Sequence, residues 1–424
     1  MDNTIFFERF GLNPDSFVNR HYEQVKTDNG FIYEAEEAYR KRICPICNTY
    51  FLHVHSHRWI TRRISTSIGL NETLRIKRIR YKCPGCEKTY TFELEGLKRN
   101  KTLSNQVIAC IQKEFFEIQS FSLIASRYEI STQQVINIFD EYTRIVPCRP
   151  MPQYLCIDEK HFEGDSDGKY VVVISDFFTG EVIDILENRQ MPYLDKYFSN
   201  VSYKERMNVK VFISDMYDGY FSIRNKYFPN AVFVVDLFHV VKLLTNAINK
   251  IRIHTYNQIA LDDTLERHFM KTNWRFFLMD ERKIYKSEYH SKKFDTYISY
   301  GDIIIRCLKK NQIFYDGYAV LQNLLRYDKY ERYEEAERFI NWIIAKLNSS
   351  GDELLMKVAD SYERWKSGII RGLAKNETGR RLSNAIAENN NSHIQKVIDV
   401  AYGYRNFKRF RARVMLILTY KKQR

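Results

Sequence analysis

Two Cys-x-x-Cys pairs constrain this chain more than any other feature. Cys44-Pro45-Ile46-Cys47 and Cys83-Pro84-Gly85-Cys86 are separated by 35 residues. Each pair sets two soft thiolates on one tight turn, and two such turns supply the four ligands of a tetrahedral zinc site. The spacer alternates apolar and basic residues, as in Leu74-Arg75-Ile76-Lys77-Arg78-Ile79-Arg80-Tyr81, so it reads as a strand hairpin, with Tyr90-Thr91-Phe92 as a returning strand. A zinc-ribbon-like module over residues 41–98 follows, with structural Zn2+ on Cys44, Cys47, Cys83 and Cys86. A four-thiolate site is closed to substrate, so it holds the fold and does not catalyse. His53, His55 and His57 alternate like one face of a strand and read as surface residues, not ligands. Cys110, Cys148, Cys156 and Cys307 are scattered singly, and in a reducing compartment this usage favours a metal site over a disulfide framework.

The chain has 424 residues, 44% hydrophobic, with only 16 Gly and 8 Pro, which excludes collagen-like, low-complexity and disordered classes and allows several packed domains. It contains no run of about 18 uncharged apolar residues and lacks the basic-then-apolar start of a secretory signal, so a soluble cytoplasmic protein without membrane contact is expected. The net charge of +14 is unevenly placed. Arg58 to Lys82 carries eight Lys/Arg and one acid, and Ala401 to Arg424 carries eight and none, whereas Met151 to Gln190 carries nine acids and three bases. Basic flanks suit a polyanion such as nucleic acid, and a local acidic cluster suits a divalent cation.

Residues 1–40 show no functional signal, apart from a possible helix at Tyr33 to Arg42. Residues 99–147 read as a helix-turn-helix: Val107, Ile108, Ile111, Phe115 and Ile118 mark one helix face, Ser120 or Ser122 can cap a second helix, and Ser131 caps a third from Thr132 to Arg144. That third helix buries Val135, Ile138, Phe139 and Tyr142 and leaves Thr132, Gln133, Gln134 and Asn137 outward near its start, where such a motif carries base-reading side chains. Arg75, Lys77, Arg78 and Arg80 before it, and Arg409, Arg411 and Arg413 in the basic tail, are the expected phosphate contacts.

Pro147, Pro150 and Pro152 mark a domain junction. Tyr154 to Asp158 then reads as a strand ending in a carboxylate, Lys169 to Phe177 and Glu181 to Asn188 as a hairpin, and Tyr193 to Phe198 as a short helix. Val209 to Asp215 is a second strand ending in Asp, followed by a helix at Tyr220 to Tyr227, a strand from Ala231 to Asp236 and a helix from Phe238 to about residue 252. The order is β-β-β-α-β-α-β-α, a mixed-sheet α/β core over residues 150–252. Residues 253–380 read as an all-helical insertion with its tryptophans mostly in the core, and residues 381–424 as a last core helix, with Ser383 as a candidate cap, plus the basic tail.

Phosphodiester chemistry asks for carboxylates fixed at the ends of adjacent strands, holding two Mg2+ ions about 3.5 to 4 Å apart. Asp158 and Asp215 meet that demand, and Glu388 can join from the last helix, on a polar stripe with Asn384 and Ser392 while Ile394, Val397 and Ala401 pack. Singly, each acid is equally well explained as a turn cap or a solvated residue. Glu159, Asp176 and Asp236 are rivals, and Asp236 ends a strand as Asp215 does.

Five ordered blocks carry a family resemblance: Ile157-Asp158-Glu159-Lys160, Ile213-Ser214-Asp215-Met216-Tyr217, Phe228-Pro229-Asn230-Ala231 with Val235-Asp236-Leu237-Phe238-His239, Ser383-Asn384 through Glu388 to Asn391, and Ala401-Tyr402-Gly403-Tyr404-Arg405-Asn406-Phe407. Together with the paired cysteines and the helix-turn-helix, the chain from about residue 40 onward resembles the ISL3 family of insertion-sequence transposases. The resemblance implies an RNase H-like core interrupted by the helical insertion and a DDE triad of Asp158, Asp215 and Glu388 that binds catalytic Mg2+ or Mn2+. It implies an Asp236/His239 pair near the site. It also implies double-stranded DNA partners (terminal inverted repeats and target), a homodimer in the synaptic complex, and a bacterial, nucleoid-associated location. The sequence departs from the family pattern at Leu237, Asn389 and Asp399, outside the triad. A DNA-binding regulator without catalysis, or an RNase H-like nuclease that cuts without joining, remains the alternative.

Overall fold

A computed structural model describes residues 3–28, 30–64, 71–97, 102–165, 168–259, 264–284 and 287–421. The chain forms two compact units, Met1–Pro147 with Gln395–Arg424, and Cys148–Ile394.

The first unit opens with helix α1 (Thr4–Arg9) and strands β1 (Glu23–Thr27), β2 (Gly30–Glu36), β3 (His53–Arg63) and β4 (Asn71–Lys82), which form a sheet in the order β1-β2-β4-β3, with β5 (Thr89–Tyr90) also on β4. Residues Tyr33 to Glu36 are therefore strand, not the expected helix. The reason is tertiary: Tyr33 and Ala35 point into a core with Phe7, Phe10, Phe17, Leu74 and Ile76, and β2 runs parallel to β4 with Tyr33 beside Leu74. The N-terminal residues are thus part of the same sheet as the cysteine module.

Strand β4 buries opposite faces at its two ends. Leu74 and Ile76 enter the core just described, whereas Ile79 and Tyr81 enter a second one with Cys44, Leu52 and Cys83. Side chains alternate between faces along a strand, so the shift from even to odd buried positions reverses its inward side.

Three helices follow, α2 (Asn105–Glu114), α3 (Phe121–Arg127) and α4 (Thr132–Tyr142). Ser104, Ser120 and Ser131 cap them, their hydroxyls accepting from the amides of Val107, Leu123 and Gln134 at 3.3, 3.1 and 3.2 Å. Val107, Ile111, Phe115, Ile124, Val135, Ile138 and Phe139 form their common core.

The second unit begins β6 (Tyr154–His161), β7 (Tyr170–Asp176), β8 (Val182–Leu186), α5 (Met191–Asn200), α6 (Tyr203–Asn208), β9 (Val211–Ser214), α7 (Asp218–Tyr227), β10 (Val232–Val235) and α8 (Leu237–Gln258). The sheet order is β10-β9-β6-β7-β8, with β9 and β10 parallel to β6 and β7 antiparallel to both its neighbours. Both faces are covered, which is why Val171 to Ile174 is an unbroken buried run.

The insertion holds α9 (Leu265–Thr272), α10 (Tyr300–Leu308), α11 (Gln312–Leu324), α12 (Tyr333–Ser349) and α13 (Glu353–Leu373), but it is not all helical. Strands β11 (Glu288–Ser291) and β12 (Thr296–Ser299) form an antiparallel hairpin whose Tyr289 and Ile298 pack on the helical core. Four residues per strand are too few for alternation to be read from sequence. Trp274 and Trp342 lie on the surface, each 39% exposed, against the expectation of core tryptophans. Gly368 and Gly372 let α13 lie directly on edge strand β10: a Cβ there would stand 2.8 Å from Val235 Cγ2 and 2.5 Å from Val235 O, respectively.

Helix α14 (Ala385–Val400) begins in the second unit, and α15 (Phe407–Met415) belongs to the first. The basic tail is therefore largely an ordered helix whose Ala412 joins the core of α2 to α4.

Candidate active site and nucleic-acid surfaces

The sheet register sets three aspartates in a row. Cys156 on β6 lies beside Ile213 on β9, and Ile213 beside Val234 on β10. These three side chains share a small core with Leu382 and Ala387, whereas Leu155, Ile157, Phe212, Phe233 and Val235 enter the main core. Two residues further along each strand, on the same face, come Asp158, Asp215 and Asp236. Asp215 and Asp236 fall one residue past β9 and β10. Asp158 does not end its strand as expected: β6 runs on to His161 because β7 continues to pair with it after β9 has stopped at Cys156.

Helix α14 brings the fourth acid. Ile386 and Ala387 pack on the sheet core, and three asparagines tie the helix down. The amide N–H of Asn384 donates to Asp236 Oδ1 at 3.0 Å, and its Nδ2 donates to the carbonyl of Ile157 at 3.1 Å. Asn391 Nδ2 donates to Asp158 Oδ2 at 2.8 Å, and Asn390 Nδ2 to Ser175 Oγ at 2.9 Å. Exposed Glu388 lies between Asn384 and Asn391 on one helix stripe. Sequence reasoning gave these asparagines no role in the site. Their signal is a run of poor helix formers, Asn389-Asn390-Asn391, inside a helix that has no local need of them.

Burial raises the pKa of all four acids, and neighbouring carboxylates add to the rise at Asp158, Asp215 and Glu388. Burial pushes the Asp158 carboxyl up to about 6, with Asp215 and Asp236 adding to the rise, while the Glu159 amide and His239 oppose it. Asp215 is also pushed up to about 6, first by burial and then by Glu159 and Asp236, against Arg189. Asp236, only 2% exposed, is raised by burial against the Asn384 amide and His239. Glu388, though exposed, is raised by partial desolvation and by Asp236, against His239. Among the described residues, Asp215 Oδ1, Asp236 Oδ2, Asn384 Oδ1 and Asn391 Oδ1 are buried without a hydrogen-bond donor. All four are oxygen acceptors, the ligand chemistry of a hard divalent cation. Of the three rivals Asp236 stands in the row, and the other two are engaged otherwise: Asp176 Oδ1 accepts from the amide of Phe178 at 2.7 Å in the hairpin turn, and Glu159 pairs with Arg189 at 2.7 Å and accepts from Tyr220 at 3.1 Å.

The four cysteines converge, their sulfurs all within 4.8 Å of one another, a donor set that fits zinc. Cys44 Sγ stands 3.6 Å from Cys86 Sγ, and Cys47 Sγ 3.5 Å from Cys83 Sγ. The two turns match. The residue after each second cysteine is left-handed (Asn48 φ 56°, Glu87 φ 57°), and each first cysteine donates its N–H to a carbonyl five residues on at 2.9 Å. Burial would push the Cys44 thiol up, but the backbone N–H groups of Cys47 and Ile46 outweigh it and bring it down to about 6. His53, His55 and His57 are exposed along β3, outside this cluster. The acids are more widely set, as a row across strands about 4.8 Å apart requires.

The expected DNA contacts divide. Thr132, Gln133 and Asn137 are exposed near the start of α4, with Gln133 donating to Asn137 at 2.8 Å. Gln134 is used structurally: its Oε1 accepts from the Ser131 amide at 3.1 Å and its Nε2 donates to Thr102 at 3.2 Å. One of the three tail arginines is corrected by the structure. Arg413 is fully buried, donating to the carbonyls of Glu117 and Gln119 at 2.9 Å each, so it cannot reach a phosphate. Arg409 forms a two-pronged pair with Asp140 at 2.8 and 2.7 Å, and Arg411 donates to the carbonyl of Val146 at 2.9 Å.

A family model described as Transposase, of the ISL3 DDE type, matches residues 155–414, a span that includes all four acids. The chain belongs to this transposase family, whose general work is the cutting and joining of DNA. A similar protein is the transposase for insertion sequence element IS1001 of Bordetella parapertussis, 23% identical over 342 residues, which cover 80% of this chain and 79% of that one. Among the described residues no helix is long and apolar enough to cross a membrane.

Proposed function

We propose that this chain is a DDE transposase that binds the terminal inverted repeats of an insertion sequence, cuts DNA strands and joins them to a target, with Asp158, Asp215 and Glu388 as its metal-binding triad. The observation that carries this reading is the set of donorless buried oxygens around the aspartate row, on Asp215, Asp236, Asn384 and Asn391. The strand order, with a central first strand, two parallel strands on one side and an antiparallel hairpin on the other, supports an RNase H-like core.

When bound, two Mg2+ or Mn2+ ions would polarise the scissile phosphate and activate water or a DNA 3′-hydroxyl for in-line attack. The chain's own residues prepare the site. Asn391 orients Asp158 through Oδ2, and Asn384 joins α14 to β6 and to Asp236, which keeps Glu388 beside the row. Asp236 and His239 act as neighbours that set the charge around the triad. The cysteines would hold Zn2+ structurally, and α2 to α4 would serve as a helix-turn-helix with Thr132, Gln133 and Asn137 toward the bases. Synapsis of two DNA ends calls for a homodimer acting in the cytoplasm on the nucleoid.

The test uses a supercoiled plasmid carrying the element's ends, with purified protein and Mg2+ or EDTA. Metal-dependent breaks at the ends and joined products are expected. Asp158→Asn, Asp215→Asn and Glu388→Gln should each lower cleavage about a thousandfold or more while leaving the gel shift of end DNA intact. Tight binding without cleavage in any metal would instead indicate a regulator, and cutting without joining a nuclease.

A further inference from the structure

The cations of β4 do not share one face. Arg75 and Lys77 stand beside Glu34 and Glu36 of parallel β2 and pair with them at 2.7 and 2.9 Å. Arg75 also lies over the Trp59 ring at 4.8 Å. The charge on that face is cancelled pair by pair.

Arg78 and Arg80 project to the opposite face, where the hairpin register sets Arg58 beside Arg78 and Ser56 beside Arg80, with Arg62 further along β3. They line a groove of about 480 Å3 between the hairpin and the chain from Thr89 to Leu97. Arg78 forms its inner wall, 7% exposed, paired with Glu37 at 2.7 Å and bonded to the carbonyl of Phe92. Arg80 is held by Thr89 Oγ1 at 2.8 Å. Among the described residues, none of Arg58, Arg62 and Arg80 has a carboxylate partner, and Arg62 Nε is buried without an acceptor. Burial and the like charges of Arg78 and Arg58 lower the pKa of Arg62, and among the described residues Glu93, the acid that lines the groove, is paired with none of these cations.

Guanidinium groups match the geometry of phosphate oxygens, and hydroxyls at the rim, here Ser56, Thr89 and Thr91, add neutral donors. We propose that this groove is where the cysteine module grips the sugar-phosphate backbone of duplex DNA, through Arg58, Arg62 and Arg80, and that the Arg75/Lys77 face does not touch DNA. This proposal rests on the transposase reading and specifies one of its contact surfaces. The grip is indifferent to sequence, since phosphates carry no base information.

The experiment measures fluorescence anisotropy of a labelled end duplex of about 30 base pairs with the full-length protein, between about 50 and 300 mM KCl. Arg58→Gln/Arg62→Gln is compared with Arg75→Gln/Lys77→Gln, with zinc content and thermal melting as folding checks. The groove variant should bind at least about tenfold more weakly, with a salt slope shallower by about 2, and the other variant should stay within about twofold of wild type. Single Arg58→Gln, at an exposed position, should lower the slope by about 1 and stands in if the double variant loses zinc. An unchanged slope in folded groove variants, or an equal loss in the Arg75/Lys77 variant, overturns the groove while the transposase reading stands. A wild-type protein that binds no DNA at any salt overturns both.

Discussion

The thiols of the first unit close to within 4.8 Å of one another, whereas the acids of the second stand in a row across three strands with a fourth on a helix. Four soft ligands that can surround one ion leave no coordination position for a substrate, so such a centre can only hold structure. The carboxylates are spread, mutually repelling and bordered by oxygens that lack donors. An unsatisfied buried acceptor costs about 1–3 kcal/mol, and a cation relieves that cost only when it arrives. On the proposed function, the first centre would serve the fold and the second the reaction.

The largest effect that would break this contrast is loss of zinc. Removing the metal with a strong chelator, or substituting Cys83→Ser, should unfold the sheet of β3 to β5 while the second unit stays folded, because structural zinc supplies on the order of 10 kcal/mol of folding free energy. Hydrogen exchange resolved by segment reads it; intact protection in β3 and β4 without zinc would end the distinction.

Next comes Asp215→Asn in metal-free buffer. The wild-type carboxyl titrates near 6 in the folded protein and near 3.8 unfolded. Between those values the folded state holds more protons, so stability should fall as pH rises through that window and stay low above it. The isosteric amide escapes this penalty and should gain up to about 3 kcal/mol at pH 7. Mg2+ should stabilise wild type most above pH 6 and the variant least. Urea melts from about pH 4 to 8, with and without Mg2+, decide it, and wild-type melts insensitive to both would sink the idea of an acid cluster awaiting an ion.

The smallest effect sharpens the contrast. Glu388 is exposed, so Glu388→Gln should move the melting free energy by no more than about 0.5 kcal/mol while abolishing cleavage. A large stability change would mean that Glu388 is a docking residue for α14 and not a free ligand.

Much of this was legible in the chain. The cysteine turns, the serine caps of α3 and α4, and the strands of the second unit follow from neighbours a few residues apart, so Cys44, Cys83, Ser131 and the apolar run Val171 to Ile174 announce their own structure. The phase shift in β4 is also written there, as Leu74 and Ile76 give way to Ile79 and Tyr81. The helix expected at Tyr33 failed because strand pairing with β4 outweighed local propensity. Arg413 failed as a phosphate contact because, basic on paper, it is enclosed by two carbonyls and by the Phe115 and Phe121 rings.

Sequence alone determined which residue types the chemistry could use: four thiolates on two turns, aspartates just beyond apolar runs, and cations in blocks. Tertiary structure decided which of them meet. Asp158, Asp215 and Asp236 share a face through inter-strand register, Asn391 finds Asp158 only when α14 docks, and Glu34 and Glu36 silence two cations while Arg58, Arg62 and Arg80 keep theirs. Short-range torsion and capping preferences act within a few residues, but the field at a charged group is set by whatever the fold brings within several ångströms.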